Sequence, residues 1–243
     1  MARIGLDRLF AFVSHCHVAL DRTGLHVEQA THPNDVAKAA EILRVPRFRR
    51  TLDPALSDFT AANTIWLFVY HRADSAEQRR LIGIVGARVE TLAPGEFTSA
   101  LKNRMSRLYS VTNKPAVRPS PPPPIFDEIS GRVVYVDDLY ILPAFREQNG
   151  VNLRALLLLL FSYARVEWDF DWLYGFIATD HAARDYLSTY CFASTYPSAL
   201  GWNVQTTDRA DTDIFGCTSR EDFAYLVDLI ARQPDLLSEP EQG

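Results

Sequence analysis

Two adjacent aspartates stand within an apolar run that is typical of a buried strand. Asp137 and Asp138 occur in the stretch YVDDLYILP, among β-branched and aromatic residues. Successive side chains of a strand point to opposite faces of the sheet, so only one of the two can face a cleft. A carboxylate in a partly apolar cleft has its pKa raised by desolvation and can then accept a substrate proton. Either aspartate could instead pair with an arginine such as Arg132 or cap a β-bulge, and the sequence leaves both roles open.

A polar loop containing a glycine follows this strand and precedes a strongly apolar helix. In the stretch LPAFREQNGVNLRALLLLL, Pro143 ends the strand, Gly150 allows a sharp turn, and a helix is predicted from Val151 to about Trp168. The first N–H groups of a helix have no intrahelical partner, and the helix dipole is positive at that end. With Arg146 beside it, the junction is a candidate site for a phosphate or pyrophosphate, although many such turns bind nothing.

Other residues of chemical interest are better explained by structure than by function. His15 and His17 are two positions apart on a predicted helix, so they diverge and cannot share one metal ion well. Cys191 lies on an apolar helix face and is expected to be a core thiol. Asp180, next to His181, is expected to be a helix N-cap. No zinc-binding Cys/His spacing, serine nucleophile elbow or Walker loop occurs, so we predict no metal site.

The hydrophobic pattern predicts helices and strands that build a single sheet. The order is α-β-α-α-β-β-insertion-β-α-β-α-β-β-α, with a second early helix over residues 47 to 62. A helix over 6 to 20 has Leu6, Leu9, Phe10, Val13 and His17 at helical spacing. Residues 95 to 130 are interpreted as an insertion between two strands of one sheet. The run of four prolines within it is interpreted as a stiff surface connector, with docking of an SH3-like partner as the alternative. The stretches GWNVQTT and DIFGCTS are expected to be a pair of closing strands.

Composition limits the classes of partner. The net charge of −5 gives no electrostatic basis for binding nucleic acid or an anionic membrane. Three widely spaced cysteines argue against a disulfide framework, so a cytoplasmic location is expected. No signal peptide is indicated, and the densest apolar run is too short to cross a bilayer.

Two stretches together resemble the motifs of the Gcn5-related N-acetyltransferase (GNAT) superfamily. Pro143, Phe145, Arg146 and Gly150 match in kind and order the loop that holds the pyrophosphate of acetyl-CoA, with one extra residue before the glycine and Asn152 in place of a second small residue. Downstream, DHAARDYLSTYCF matches a helix motif of the form Asn-x-x-Ala-x-x-Leu-Tyr followed by Gly-Phe. Asp180, Ala183 and Phe192 occupy the Asn, Ala and Phe positions, whereas Cys191 replaces the Gly.

The resemblance implies a mixed α/β fold, with a mostly antiparallel sheet flanked by helices. It covers roughly residues 25 to 218. We therefore predict an N-terminal helix over 1–24, a GNAT-like domain over 25–232 with the insertion over about 95–130, and a flexible acidic tail over 233–243. The strands around Val133–Leu142 and Trp172–Ala178 are expected to separate at a bulge and to hold the pantetheine arm of the donor between them.

The resemblance also implies which residues bind the donor and which act on it. The strand backbone would hold the arm, and the loop and the following helices would hold the pyrophosphate and the rest of the donor. The predicted binding residues are Leu139, Tyr140, Ile141, Leu142, Arg146, Glu147, Gln148, Asn149, Gly150, Val151, Asn152 and Asp180. Asp137 or Asp138 is the candidate base, since family members often carry a carboxylate on this strand. Tyr186 is the first candidate for the acid, because it adjoins the family's tyrosine position, and Tyr190 is the second.

The predicted function is therefore that of an N-acyltransferase that uses acyl-CoA, with acetyl-CoA as the expected donor. The acceptor would be an amine on a small molecule or peptide, and Arg44, Arg47, Arg49 and Arg50 could attract an acidic one. The alternative is a GNAT-fold protein that has lost catalysis and serves as a binding or regulatory module. Homodimerisation is left open.

Overall fold

The computed structural model describes residues 4–30, 32–45, 53, 57, 59–72, 79–109, 116–118, 121–146, 151–179, 189–203 and 210–237, with only the backbone of Arg146. Six helices and seven strands in this part of the chain are the framework of the fold. The helices are α1 (Leu6–Arg22), α2 (Pro33–Leu43), α3 (Phe97–Tyr109), α4 (Pro143–Arg146), α5 (Leu153–Trp168) and α6 (Arg220–Arg232). The strands are β1 (Leu25–Ala30), β2 (Thr64–Arg72), β3 (Arg79–Leu92), β4 (Gly131–Ile141), β5 (Trp172–Ile177), β6 (Ser194–Pro197) and β7 (Ile214–Ser219).

All seven strands belong to one sheet, in the order β1-β2-β3-β4-β5-β7-β6. Every neighbouring pair is antiparallel except β4 and β5, which are parallel. A parallel pair needs a crossover connection, and α5 supplies it here. The predicted mixed, mostly antiparallel sheet flanked by helices is confirmed.

Each face of the sheet has its own hydrophobic core. Helices α1, α5 and α6 cover one face, and α2, α3 and the short 3-10 helix Pro124–Asp127 cover the other. The apolar character of α5 on nearly all sides is explained by burial, because its residues from Ala155 to Ser162 are all buried. Within the described residues, no helix has the length and hydropathy needed to span a bilayer.

The buried stripe of α1 differs from the predicted one. Leu9, Phe12, Cys16, Ala19 and Leu20 face the core, whereas Leu6 and Phe10 are 65% and 59% exposed. Both stripes have helical periodicity, and only the position of the sheet decides which one is buried. Phe12 makes an edge-to-face contact with Phe223 of α6, at 6.2 Å between ring centroids, and this contact fixes the rotation of α1.

The segment predicted as an insertion contributes residues to the second core. It does lie between two neighbouring strands of the sheet, β3 and β4. However, Phe97 of α3 packs edge-to-face on Phe126 of the 3-10 helix, at 4.9 Å, and on Tyr174 of β5, at 5.1 Å. Phe97 and Phe126 are each 1% exposed. The residues on either side of the proline-rich run are therefore buried against the sheet, whereas Pro121 and Pro124 of the run itself are exposed.

The two predicted closing strands do not pair with each other. The stretch DIFGCTS contains β7, whose sheet partners are β5 and β6, and β6 (Ser194–Pro197) lies N-terminal to the stretch GWNVQTT. In the described part of GWNVQTT, Trp202 makes a single bridge to Val117. Residues 195–197 carry too few apolar positions to stand out from the sequence pattern. The predicted helix over 47 to 62 lies mostly outside the described residues.

Asn152 joins the start of α5 to the end of the described chain. Its side-chain oxygen accepts a hydrogen bond from the backbone N–H of Ala155 at 2.9 Å, which caps the helix. Its amide nitrogen donates to the carbonyl oxygen of Leu237 at 2.7 Å. Leu237 ends a 3-10 helix that begins at Pro234, and it is 2% exposed. The first residues of the predicted flexible tail are thus ordered, because the α5 cap holds them.

We expect Asn152→Ala to lower the free energy of unfolding by about 1 to 2 kcal/mol, because it removes both the cap and the bond to Leu237. Asn152→Ser is the matched control, since it keeps a capping oxygen and loses only the bond to Leu237. In a urea titration it should lower the free energy of unfolding by clearly less than the alanine variant does. Equal stabilities of the two variants would show that the cap contributes nothing.

Candidate functional site

The parallel strands β4 and β5 separate partway along their length. Their ladder pairs Val133 with Trp172 and ends at the pair Val136 and Gly175. Both strands continue beyond this point, β4 to Ile141 and β5 to Ile177. Over the same stretch β4 stays paired with β3, as far as the pair Gly83 and Ile141. A cleft therefore opens between β4 and β5 at the carboxyl ends of the strands.

A β-bulge in β4 accounts for the separation. Gly86 of β3 is opposite Asp137 and Ile84 is opposite Tyr140, so β4 has one extra residue between these pairs. Asp138 lies in the bulge with φ of +56°, in the left-handed region that aspartate tolerates better than most residues. A bulge bends its strand and increases the local twist, which turns the end of β4 away from β5.

The cleft contains two of the four predicted catalytic residues. It is lined by main-chain and side-chain atoms of Val136, Asp137, Leu139, Leu157, Gly175, Phe176, Ala178, Tyr190 and Phe192, and it encloses about 40 Å³. Asp137 and Tyr190 thus come together although they are far apart in sequence. Asp138 is buried in the bulge and does not line the cleft. Tyr186 lies outside the described residues.

A second tyrosine orients the Asp137 carboxylate. Tyr135 precedes Asp137 by two positions on β4 and lies on the same face, where its hydroxyl donates a hydrogen bond to an Asp137 carboxylate oxygen. Both residues are buried, with exposures of 2% and 8%. A carboxylate that accepts a hydrogen bond in a buried position is held in one rotamer. The carboxylate is thereby fixed at the wall of the cleft.

Phe192 forms the opposite wall of the cleft by lying on two glycines. Gly175 of β5 and Gly216 of β7 are paired across the antiparallel ladder. A Cβ atom at Gly216 would come within 2.3 Å of the Phe192 ring, and one at Gly175 would come within 3.0 Å of it. The glycine pair therefore leaves the space that the ring occupies. The Phe161 ring of α5 supports Phe192 from the other side, at 5.9 Å between centroids.

Cys191 has a backbone conformation that normally favours glycine. Its φ is +57°, whereas the motif that this segment resembles has Gly at the same position. Its thiol is partly buried and donates to the carbonyl oxygen of Thr189 at 3.3 Å. Burial raises the pKa of the Cys191 thiol to about 11, so the thiol is protonated at neutral pH and is a poor nucleophile. The sequence departs from the motif here, but the backbone keeps the shape that glycine would allow.

Cys191→Gly should therefore be more stable than Cys191→Ala, by about 1 kcal/mol, because the left-handed conformation costs a residue with a Cβ atom about that much. The order of stability is normally the reverse, since glycine has more conformational entropy to lose on folding. Denaturant unfolding of the two variants measures the difference. A more stable alanine variant would contradict the left-handed backbone at this position.

A buried polar cluster lies on the α3 face of the sheet beside Tyr135. Arg104 of α3 donates to the Tyr174 hydroxyl at 2.8 Å and to the Glu90 carboxylate. Burial opposes the charge of Arg104, but Tyr174 and Glu90 outweigh it and raise the pKa of the guanidinium. Burial also raises the pKa of Tyr174 to about 12, so its hydroxyl is neutral. This cluster was not predicted from the sequence, where its only signal is the alternation of Arg88 and Glu90 in the apolar strand β3.

The predicted donor-binding residues are only partly described. Leu139, Tyr140, Ile141 and Leu142 follow the bulge at the edge of the cleft, and the N–H of Leu142 donates to the Ile82 carbonyl at 2.8 Å. Val151 and Asn152 lie at the start of α5 and are buried. The side chain of Arg146, the residues Glu147, Gln148, Asn149 and Gly150, and Asp180 lie outside the described residues. Their predicted role in binding stays a prediction.

No group of three or more histidine, cysteine or acidic side chains has metal-binding geometry within the described ranges. His17 hydrogen-bonds through Nε2 with the Tyr163 hydroxyl at 3.1 Å. Burial lowers the pKa of His17, so the ring is neutral near pH 7. His17 thus has a structural partner on α5.

Comparison with known proteins gives similarity in structure only. No protein-family profile matches the chain, and no curated protein matches its sequence. The Arabidopsis thaliana protein NAA60 in complex with acetyl-CoA aligns with a TM-score of 0.47 and 14% identity, over 81% of this chain and 99% of that chain. The N-acyl amino acid synthase FeeM from uncultured soil microbes aligns with a TM-score of 0.43 and 12% identity, over 82% and 92%. A chimera of the Vibrio cholerae spermidine N-acetyltransferase SpeG and hSSAT has a TM-score of 0.42 and 9% identity, over 82% and 98%.

The fold assignment depends on the topology of this chain itself. A mostly antiparallel sheet contains one central parallel pair, α5 connects that pair, and the two strands separate at a bulge. The mostly antiparallel sheet and the separation at a bulge are features that the resemblance of the two motifs implied. The chain has the GNAT fold.

Proposed function

We propose that the protein is an N-acyltransferase that transfers an acyl group from acyl-CoA, with acetyl-CoA as the preferred donor, to an amine. The observation that carries the proposal is the cleft between β4 and β5, which a buried aspartate and a tyrosine both line. The pantetheine arm of the donor would lie between the separated strands and pair with the backbone of β4 in the manner of an added strand. The thioester would then reach the level of Asp137 and Tyr190.

The donor has to widen the cleft as it enters. The cleft encloses about 40 Å³, which is less than the arm needs. Phe192 and Tyr190 are side chains at its wall, and both are only partly buried, so rotation of either one can widen the cleft.

Asp137 would act as the general base. It accepts the proton that the acceptor ammonium loses, directly or through a water, and the neutral amine nitrogen attacks the thioester carbonyl carbon. The C–N bond forms and the C–S bond breaks, and the electron pair of that bond leaves on the thiolate sulfur of CoA. Tyr135 holds the Asp137 carboxylate in position through its hydroxyl. Asp138 is buried within the bulge, so of the two aspartates Asp137 is the better base.

Tyr190 would act as the general acid that protonates the thiolate. It follows the segment that contains Tyr186, and it lies in the turn before Phe192, on the β5 side of the cleft. A tyrosine hydroxyl, with an ordinary pKa near 10, is protonated at neutral pH and can donate its proton to a leaving thiolate. Tyr190 regains a proton from solvent after the products leave.

Asp137→Asn should lower the rate of acyl transfer by about 10²- to 10⁴-fold, because an amide cannot accept the proton, and it should leave donor affinity almost unchanged. Asp138→Asn is the matched control, since asparagine tolerates the left-handed conformation of the bulge. Thiol release from acetyl-CoA measures the rate, and titration calorimetry measures donor affinity. Equal losses of rate in the two variants would remove the assignment of Asp137 as the base.

A binding or regulatory module is the second candidate, and Asn152 is the observation that favours it. Its side chain already occupies the N–H of Ala155, one of the first-turn donors that a pyrophosphate would otherwise use. Because this N–H is already used, weak binding of the donor without turnover would be expected. Donor binding without detectable thiol release against a broad set of amines would favour the second candidate over the first.

Acetyl-CoA and CoA should raise the unfolding midpoint of the protein, and ATP should not. At about 100 times its dissociation constant a ligand stabilises the folded state by roughly 2.7 kcal/mol, which moves the midpoint by a few degrees in a protein of this size. A thermal-shift titration with the three ligands in parallel tests this. The absence of a shift with both CoA compounds would contradict the acyltransferase proposal.

A further inference from the structure

We propose that Arg88 binds the carboxylate of the acceptor, so that the acceptor is an amine that also carries a carboxylate within a few bonds, as amino acids do. This inference rests on the proposed acyl transfer at Asp137. It names the class of acceptor for that site, which the fold alone leaves open.

The first observation is that Arg88 has unsatisfied donors. The Nε and Nη1 atoms of its guanidinium are buried and have no hydrogen-bond partner among the described residues. Most buried polar groups in proteins are hydrogen-bonded, and a charged group without partners is costly to keep. An exception of this kind calls for an explanation, and a negatively charged ligand would supply the missing acceptors.

The second observation is an excess of positive charge around Arg88. Arg104 and Arg107 of α3 both act on the Arg88 guanidinium, and Glu90 is the carboxylate that opposes them. Glu90 is already engaged by Arg104. Tyr174 adds no charge, because its hydroxyl stays protonated. Of the charged groups that act on Arg88, two are cations, and the carboxylate among them, Glu90, is bound to Arg104.

The burial of Arg88 also favours the binding of an anion. Desolvation and the neighbouring charge of Arg104 both lower the pKa of Arg88, which means that the protein destabilises its charged form. An arginine nevertheless keeps its charge at physiological pH. A bound carboxylate would offset this destabilisation by a charge-assisted hydrogen bond.

The third observation is the position of Arg88 relative to the cleft. Arg88 is the cross-strand partner of Tyr135, and Gly86, two residues earlier on the same face of β3, is the partner of Asp137. Arg88 and Asp137 are therefore diagonal neighbours on one face of the sheet, with about 7 to 8 Å between their Cα atoms. The Trp66 ring lies over Gly86 and forms a wall beside the two residues.

The distance between Arg88 and Asp137 sets the separation of carboxylate and amine in the acceptor. Arg88 is partly exposed as a residue although its Nε and Nη1 atoms are buried, so the guanidinium has to turn toward the solvent side to meet a small ligand. A carboxylate held there places an amine a few bonds away within reach of Asp137, which has to take its proton. An amine without a carboxylate would leave the Arg88 donors unsatisfied and would bind less well.

The test compares amines that differ only in the carboxylate. The probes are the standard amino acids and their decarboxylated counterparts, such as L-phenylalanine and phenylethylamine, with acetyl-CoA as the donor. The full-length protein should use the best amino acid with a kcat/KM about ten- to a hundredfold higher than its decarboxylated counterpart, the range for one hydrogen bond to a charged group. Arg88→Met should remove this preference, so that the ratio of the two kcat/KM values falls to about one.

Arg79→Met is the matched control, because it removes an arginine from the same strand whose partner, Glu28, is exposed and far from the cleft. It should keep the preference for amino acids. Arg88→Met should also unfold at or above the midpoint of the unmodified protein, because it removes a buried group without partners. An equal loss of kcat/KM for both kinds of amine in Arg88→Met would overturn the proposal.

A second readout does not require the transfer reaction. Without any donor, the amino acid should raise the unfolding midpoint of the unmodified protein, and its decarboxylated counterpart should not. In Arg88→Met neither should have an effect. Such a rise would support the acceptor site even if acetyl-CoA failed to bind and the proposed transfer were wrong. If no amino acid raised the midpoint and none was acetylated, the assignment of Arg88 would be wrong.

Discussion

The end of the ladder between β4 and β5 is the constraint on which the candidate site depends. Two parallel strands that stay hydrogen-bonded leave no room for a substrate, and here they part after the pair Val136 and Gly175. The single extra residue in the bulge at Asp138 turns β4 away, while β3 keeps it in the sheet. The bulge therefore opens a cleft without leaving β4 as an exposed edge, and it brings Asp137 to the wall of that cleft.

The two faces of the sheet contribute differently to this site. Helix α5 and Phe192 close the cleft on the face that also carries α1 and α6. On the other face, α3 brings Arg104 onto the strands, where Tyr174 and Glu90 bind it. A polar cluster under a helix is tolerated because its members satisfy one another. Arg88 is the member whose donors remain unsatisfied, and it is the one nearest to Asp137 along the ladder.

Much of the fold was predictable from periodicity, because the hydrophobic patterns of α5, β4 and β7 are strong and local. The buried face of α1 was not, since Leu6 and Phe10 share a helical spacing with the residues that are buried, and only the packing on α5 and α6 decides between them. Strand β6 was missed because its four residues are partly exposed and short. The contribution of the insertion to the core was not predicted, because proline density says nothing about the burial of Phe126.

For the site, the sequence pointed to the two aspartates and to Tyr190, but it could not choose between Asp137 and Asp138. The bulge decides which of the two aspartates lines the cleft. It arises from the pairing of β4 with β3, so the sequence of β4 alone does not show it. For the same reason, neither the role of Tyr135 nor the Arg104 cluster could be predicted from the sequence. Their partners come from different strands and from α3, so only the assembled sheet brings them together.

The glycine pair beneath Phe192 has a consequence for how the sheet fluctuates. Gly175 and Gly216 lack the side chains that stabilise a cross-strand pair, and glycine weakens a strand through its backbone entropy. The aromatic ring that covers them replaces this missing contact. When the ring rotates away, the amide protons of β5 and β7 at this pair become open to exchange with water. Opening of the cleft and local breathing of the sheet are then one motion, centred where the acyl group would be transferred.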